Sequence, residues 1–244
     1  IRGTNEPAPL HMPQLGLGIH FTLVDGFPVL SPEEIPSLVD ESGVFLPNYG
    51  AFSKRYAKGG VHLAEVRAEL AAQLKKFEAA GLSLDHADSH QHMHVLPGVI
   101  DIALDLSRAA EIPAMRAPHA PLFAGNFGGV GQLIGRAGLS VLAHRAAAKA
   151  KARGIRVPDH FAGIVAGEAV DTATLTQIAA QLGNGVTEVM LHPGTDNETL
   201  IRDCLWAHDF EAELAAVCAP AVCDALAAAG AEVVNFRTMI NSAE

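Results

Sequence analysis

The sequence predicts an α/β protein with a mainly parallel sheet, open or closed into a barrel. Strand-like apolar segments alternate with helical patterns along the chain, the signature of repeated βαβ units. Polar residues fall at the ends of the apolar segments, where parallel α/β folds gather their chemistry. The 244 residues are 49% hydrophobic, enough for one large domain with a substantial core.

Residues 15–24, LGLGIHFTLV, read as a buried strand that turns at DGFPVL. Residues 31–60 are rich in Pro and Gly and hold Phe45, Tyr49, Phe52 and Tyr56, the composition of a lid or binding loop. Those aromatics are candidates either to stack on a ring-shaped ligand or to tuck the loop inward. Leu63, Val66, Leu70, Leu74 and Phe77 keep helical spacing, and Gly81 suits the helix C-terminus. LSLDHADSH (82–90) reads as a strand running into a loop, and Pro97 opens a helix over VIDIALDLSRAA. IPAMRA (112–117) is a short strand, 118–128 is Pro- and Gly-rich, and a long helix runs to about Arg153. IRVPDHFAGI is a further strand, Asp171 N-caps the helix TATLTQIAAQL, and VTEVMLHPG is a strand ending at His192. A helix over about 208–229 leads into a last strand, AEVVNFR.

A net charge of −10 excludes general nucleic-acid binding, which wants a basic face. Arg136, His144, Arg145, Lys149, Lys151 and Arg153 line one helix, either as a solvated face or as contact for an anionic partner. No apolar run approaches the ~18 residues of a membrane span. Cys204, Cys218 and Cys223 lack CxxC spacing and read as free thiols of a reducing, cytoplasmic compartment, with Cys218 and Cys223 filling space in an Ala-rich helix. The chain starts IRGTNEPAP, with no signal-peptide pattern.

Chemistry concentrates in DHADSHQHMH (85–94), which holds four of the 12 histidines, at 86, 90, 92 and 94. In an extended chain His90, His92 and His94 share one face. Neutral imidazole is the commonest metal ligand, and two or three at a strand end can hold a hydrolytic metal. Neighbouring rings can instead orient substrate or the ligands themselves. His20, Asp88, Arg116, Asp159, His160 and His192 complete a set of polar groups at five expected strand ends. His11, His62, His144 and His208 read as structural. HEXXH, GxSxG and phosphate-loop patterns are absent, which removes zincin, serine-hydrolase and NTPase readings.

GIHFTL (18–23), DSHQHMH (88–94), the Arg of MRAP (115–118) and LHPG (191–194) together resemble the YdjC-type carbohydrate deacetylases, in order and spacing, from about residue 13 to the C-terminal strand. Both the chito-oligosaccharide and the hopanoid-associated branches are similar. The resemblance implies an irregular TIM-like (β/α) barrel, a single domain over 1–244, and removal of an acetyl group from an N-acetylated sugar. It implies a divalent metal, Mg²⁺ or Zn²⁺, on His20 and His90, and a homodimer. The family's third ligand and base are paired aspartates in a first strand that this sequence lacks, so the barrel is expected without that strand, and Asp88 and Asp159 are the available substitutes. His192 is then the proton donor to the leaving amine, or orients the HPG turn. Arg116 holds a site carboxylate ionised or stabilises an oxyanion, Asp159 meets Arg116 or a sugar hydroxyl, and His92 and His94 support the ligands or touch substrate. The alternatives are a metal-dependent hydrolase of another C–N or ester bond, and an inactive sugar- or metal-binding barrel.

Overall fold

The computed structural model describes residues 15–119, 130–164 and 169–241. They divide into two compact units. The first comprises residues 1–117, 142–157 and 235–244, and the second 118–141 and 158–234. Helix α4 (Val130–Ala152) crosses that boundary in sequence.

In the first unit β1 (Gly18–Phe21), β2 (His86–Ser89) and β3 (Ala114–Met115) form a parallel sheet in that order. A parallel bridge from Ala114 to Arg156 extends it by one segment. Parallel neighbours need helical crossovers, and α1 (Tyr49–Ala57), α2 (Leu63–Ala79) and α3 (Val99–Ala109) lie between the strands in sequence. Val66, Leu70 and Leu74 recur one turn apart on α2 and are buried, as their spacing predicts. They belong to a core with Ile19, Phe21, Ala87, Leu104 and Met115. Glu69, also buried, is satisfied by the backbone N–H groups of Val29 and Leu30 and by Gln73 Nε2, which ties the loop after β1 to α2. Gly18 is required by close approach, because a Cβ there would fall on the His86 imidazole. That ring is held by Asp85 at 2.6 Å and stacks on Phe236 at 4.1 Å.

The loop-rich stretch 31–60 contains an unforeseen helix, α1, whose N-cap Asn48 accepts from the Ala51 amide. Phe45 and Phe52 are buried beneath it and cannot stack on a ligand, whereas Tyr49 is exposed. Lys149 and Arg153 of the basic run pair with Asp101 on α3, so part of that face is an intramolecular ion-pair seam.

In the second unit β4 (His160–Ala162) and β5 (Thr187–Val189) pair in parallel. Helices α5 (Thr172–Ala180), α7 (Phe210–Val217) and α8 (Pro220–Ala228) enclose a core of Val170, Leu175, Ala216 and Val222. Asp171 caps α5 as expected. α6 (Asn197–Cys204), capped by Asp196, was not anticipated.

Several expectations are corrected. The α/β class with parallel strands holds, while the irregular TIM-like barrel is not borne out among the described residues. The described strands are two to four residues long and pair in separate sheets of three and two, without closing a ring. The single helix over 208–229 is two helices, because Pro220 lacks an N–H to continue α7 and instead starts α8. AEVVNFR is not a strand. Asn235 caps the Thr238 amide and starts helix α9 (Phe236–Asn241) in the first unit, leaving Val233 exposed. All three cysteines are exposed rather than space-filling. Among the described residues no helix is long and apolar enough to cross a membrane.

Candidate functional site

The register of the first unit builds its site directly. His20 on β1 is paired with Asp88 on β2, and Arg116 follows β3 with its amide bonded to Ala87 O at 3.0 Å. All three lie at the C-terminal ends of adjacent parallel strands. His20 Nδ1 is 2.7 Å from Asp88 Oδ1, and the Arg116 guanidinium contacts Asp88 Oδ2. Burial opposes the charge on Asp88, yet the His20 hydrogen bond and the Arg116 charge outweigh it and hold the carboxyl well below the usual carboxylate range. An ionised carboxylate can only accept, so His20 donates through Nδ1–H. In that tautomer the lone pair lies on Nε2, on a side chain 51% exposed. This carboxylate–histidine arrangement is the one that orients metal-ligating imidazoles.

His90 stands beside His20, with ring centroids 5.7 Å apart and Nε2 3.4 Å from Asp25 Oδ2. Burial, and then the neighbouring His20, push its imidazole below the ordinary value and favour the neutral form. The segment His90–Val95 is a tight 3₁₀ turn, not an extended strand, with Gln91 and His92 in the left-handed region at φ 49° and 57°. The shared face expected of His90, His92 and His94 is therefore lost. Asp25, facing His90, has positive φ as well (55°), and strained backbone of this kind clusters at functional sites.

His94 is buried with both ring nitrogens engaged. It accepts from Ser89 Oγ at Nδ1 (2.6 Å) and donates from Nε2 to Arg116 O (2.9 Å). Burial depresses it to about 4, so it is a neutral brace between the turn and β3. His92 is pushed to about 3 by burial and then by the charges of His94 and Arg116.

The second unit holds His192 just past β5. Its backbone N–H donates to Glu213 Oε2, and its Nδ1 is 3.9 Å from the same oxygen. Glu213 Oε1 accepts from the Val170 amide (2.9 Å) and from His208 Nε2 (3.0 Å). His192, His208 and Glu213 offer ligand atoms all within 4.8 Å of one another, a possible metal-binding triad. Both carboxylate oxygens already accept from protein donors, whereas His208 Nδ1 is buried without a hydrogen-bond partner. Asp159 is displaced from the expected strand end. It precedes β4, and its Oδ2 accepts from the Val186 amide at 3.0 Å, so it fastens the start of the β4–β5 pair while His192 follows the other end. His160 likewise opens β4 and bonds to Asn184 O.

Sequence reasoning singled out His20, Asp88, His90 and Arg116, which the structure brings together. It passed over Asp25, His208 and Glu213. The one available signal for Glu213 was a carboxylate among the apolar residues of FEAELAAV, a helix that also carries Glu211.

A family model described as YdjC-like protein matches residues 4–228. The chain belongs to the YdjC-like family. A carbohydrate deacetylase of Thermoanaerobacter pseudethanolicus is 28% identical over 190 residues, covering 78% of this chain and 64% of that protein. One from Geobacillus stearothermophilus is 27% identical over 241 residues, covering 96% and 82%. The chain thus spans less than two thirds of the Thermoanaerobacter relative. A crystal structure from Enterococcus faecalis, described as a candidate cellobiose-phosphate cleavage protein, superposes with TM-score 0.69 at 25% identity over 95% of this chain and 80% of that one.

Proposed function

We propose that this YdjC-like protein removes the acetyl group from an N-acetylated sugar, as a metal-assisted carbohydrate deacetylase. The observation that carries the reading is the Arg116–Asp88–His20 chain, which presents a lone-pair nitrogen beside a neutral His90 at adjacent strand ends. Relatives named carbohydrate deacetylase, and a structural neighbour named for a disaccharide phosphate, support the sugar substrate.

The donor chemistry suits a divalent cation. His20 Nε2 and His90 are imidazole donors, with the Asp25 carboxylate near His90. Two imidazoles match Zn²⁺ better than Mg²⁺, which prefers oxygen ligands. His20 and His90 would hold the ion, which would supply Lewis acidity for the acetyl carbonyl and for a water. Asp88 fixes the His20 tautomer, and Arg116 keeps Asp88 charged for that task. In this reading Asp25, whose Oδ2 is 3.4 Å from His90 Nε2, accepts the water's proton. An amide nitrogen leaves only once protonated, so the reaction also needs a proton donor to the leaving amine. His92 and His94 shape the turn that carries His90.

The test is acetate release from N,N′-diacetylchitobiose by the full-length protein, with and without Zn²⁺ or Mg²⁺, alongside His20→Ala and His90→Ala. Metal binding is read separately by calorimetry. Metal-dependent acetate, lost with metal binding in both variants, is the expected result. No acetate from N-acetyl sugars while metal binds normally overturns the substrate class.

A further inference from the structure

Trp206 is the chain's one tryptophan and lies in the irregular segment after α6. Leu205, in the left-handed region at φ 52°, turns the chain just before it. The indole stacks on His208, with centroids 4.0 Å apart and planes 23° from parallel. His208 is itself buried and donates to the buried Glu213, so the stack rests on a fixed base.

His192 is 4.9 Å from Trp206 and 5.5 Å from His208. With the 4.0 Å stack these separations close a triangle in which His192 lies nearly at a right angle to the stacking direction. It therefore stands at the indole's edge. Phe210, 5.6 Å from Trp206 but 4.9 Å from His208, lies on the His208 side. Neither of these two rings lies on the indole face turned away from His208, and the residue is 39% exposed.

We propose that the face of Trp206 turned away from His208 is a stacking surface for a pyranose ring of an N-acetylated sugar. One pyranose face is a patch of C–H groups, and the indole is a large, rigid apolar surface with a polar edge. Glu213 joins the two halves of the device, since it carries both the His192 backbone and the His208 ring beneath the indole. The inference rests on the deacetylase reading for the identity of the sugar, but its physical basis is separate.

Because the chain has a single tryptophan, its fluorescence reports this residue alone. Titration of the full-length protein with N,N′-diacetylchitobiose is expected to give a saturable change in emission. Trp206→Phe should keep KM within about threefold, while Trp206→Ala should raise it by about tenfold or more with a smaller change in kcat. Acetate release with unchanged emission and an unaltered KM in Trp206→Ala overturns the stacking surface and leaves the deacetylase reading standing. Saturable emission without acetate supports the surface and overturns that reading instead. No emission change and no acetate overturns both. If Trp206→Ala fails to fold, the wild-type titration and Trp206→Phe still decide.

Discussion

Nδ1 of His20 lies 2.7 Å from Oδ1 of Asp88, across the parallel register that pairs their Cα positions. Arg116 occupies the other carboxylate oxygen. Asp88→Asn should therefore act through His20. The amide can present its N–H₂ to Nδ1, which frees the wrong tautomer, and the buried Arg116 loses its counter-charge. Metal affinity or activity is expected to fall by roughly 10–100-fold. Calorimetric metal titration checks this independently of turnover, and an unchanged affinity would remove Asp88 from the site.

His94 makes stability depend on acid. In the unfolded chain it protonates near its ordinary 6.5, but in the folded protein only near 4. Between those values the unfolded state binds more protons, so stability falls as pH drops from about 6.5 to about 4 and then levels off for this group. His92, held near 3, adds to the loss in the same direction. The total should be on the order of a few kcal/mol. Urea unfolding at pH 7.5, 6 and 5 measures it, and a flat profile would contradict neutral, buried rings.

Gly18→Ala tests the close approach of β1 to His86. The added methyl meets a ring fixed by both Asp85 and Phe236, which cannot swing away freely. A loss of about 1–3 kcal/mol is expected, with a lower melting temperature. Wild-type stability in this variant would mean that His86 is not held as described.

Glu213→Gln keeps the volume but turns one acceptor into a donor. Three donors converge on this carboxylate, the amides of Val170 and His192 and the His208 ring, so at least one loses its partner. The expected loss is about 1–3 kcal/mol. Amide hydrogen exchange should quicken at Val170 and His192 before the rest of the unit. Unchanged exchange at both would show that the carboxylate is not their anchor.

Much of the architecture was legible in local pattern. The α2 core stripe, the Asp171 cap and the β1, β2 and β5 segments follow from periodicity and capping chemistry, which act within a few residues. The misreadings occurred where local signals conflict. Residues 31–60 look like loop by their prolines, yet Asn48 starts a helix among them. AEVVNFR looks like strand by its valines, yet pairing is non-local and Asn235 caps a helix first. Alternating histidines imply one face only if the backbone is extended, and Gln91 and His92 turn it.

The sequence by itself determined the α/β class, the crowding of imidazole after one strand and the residues that resemble a deacetylase. Composition, periodicity and motif order are properties of neighbours along the chain. Only the tertiary structure decided that Arg116 reaches Asp88 and Asp88 reaches His20, that His94 is a brace, that Asp159 sits at the start of its strand, and that Glu213 anchors His192 and His208. Each of those relations joins distant segments through strand register or a buried carboxylate. Such pairings are set by which groups must be satisfied once water is excluded, and that is known only when the chain has folded.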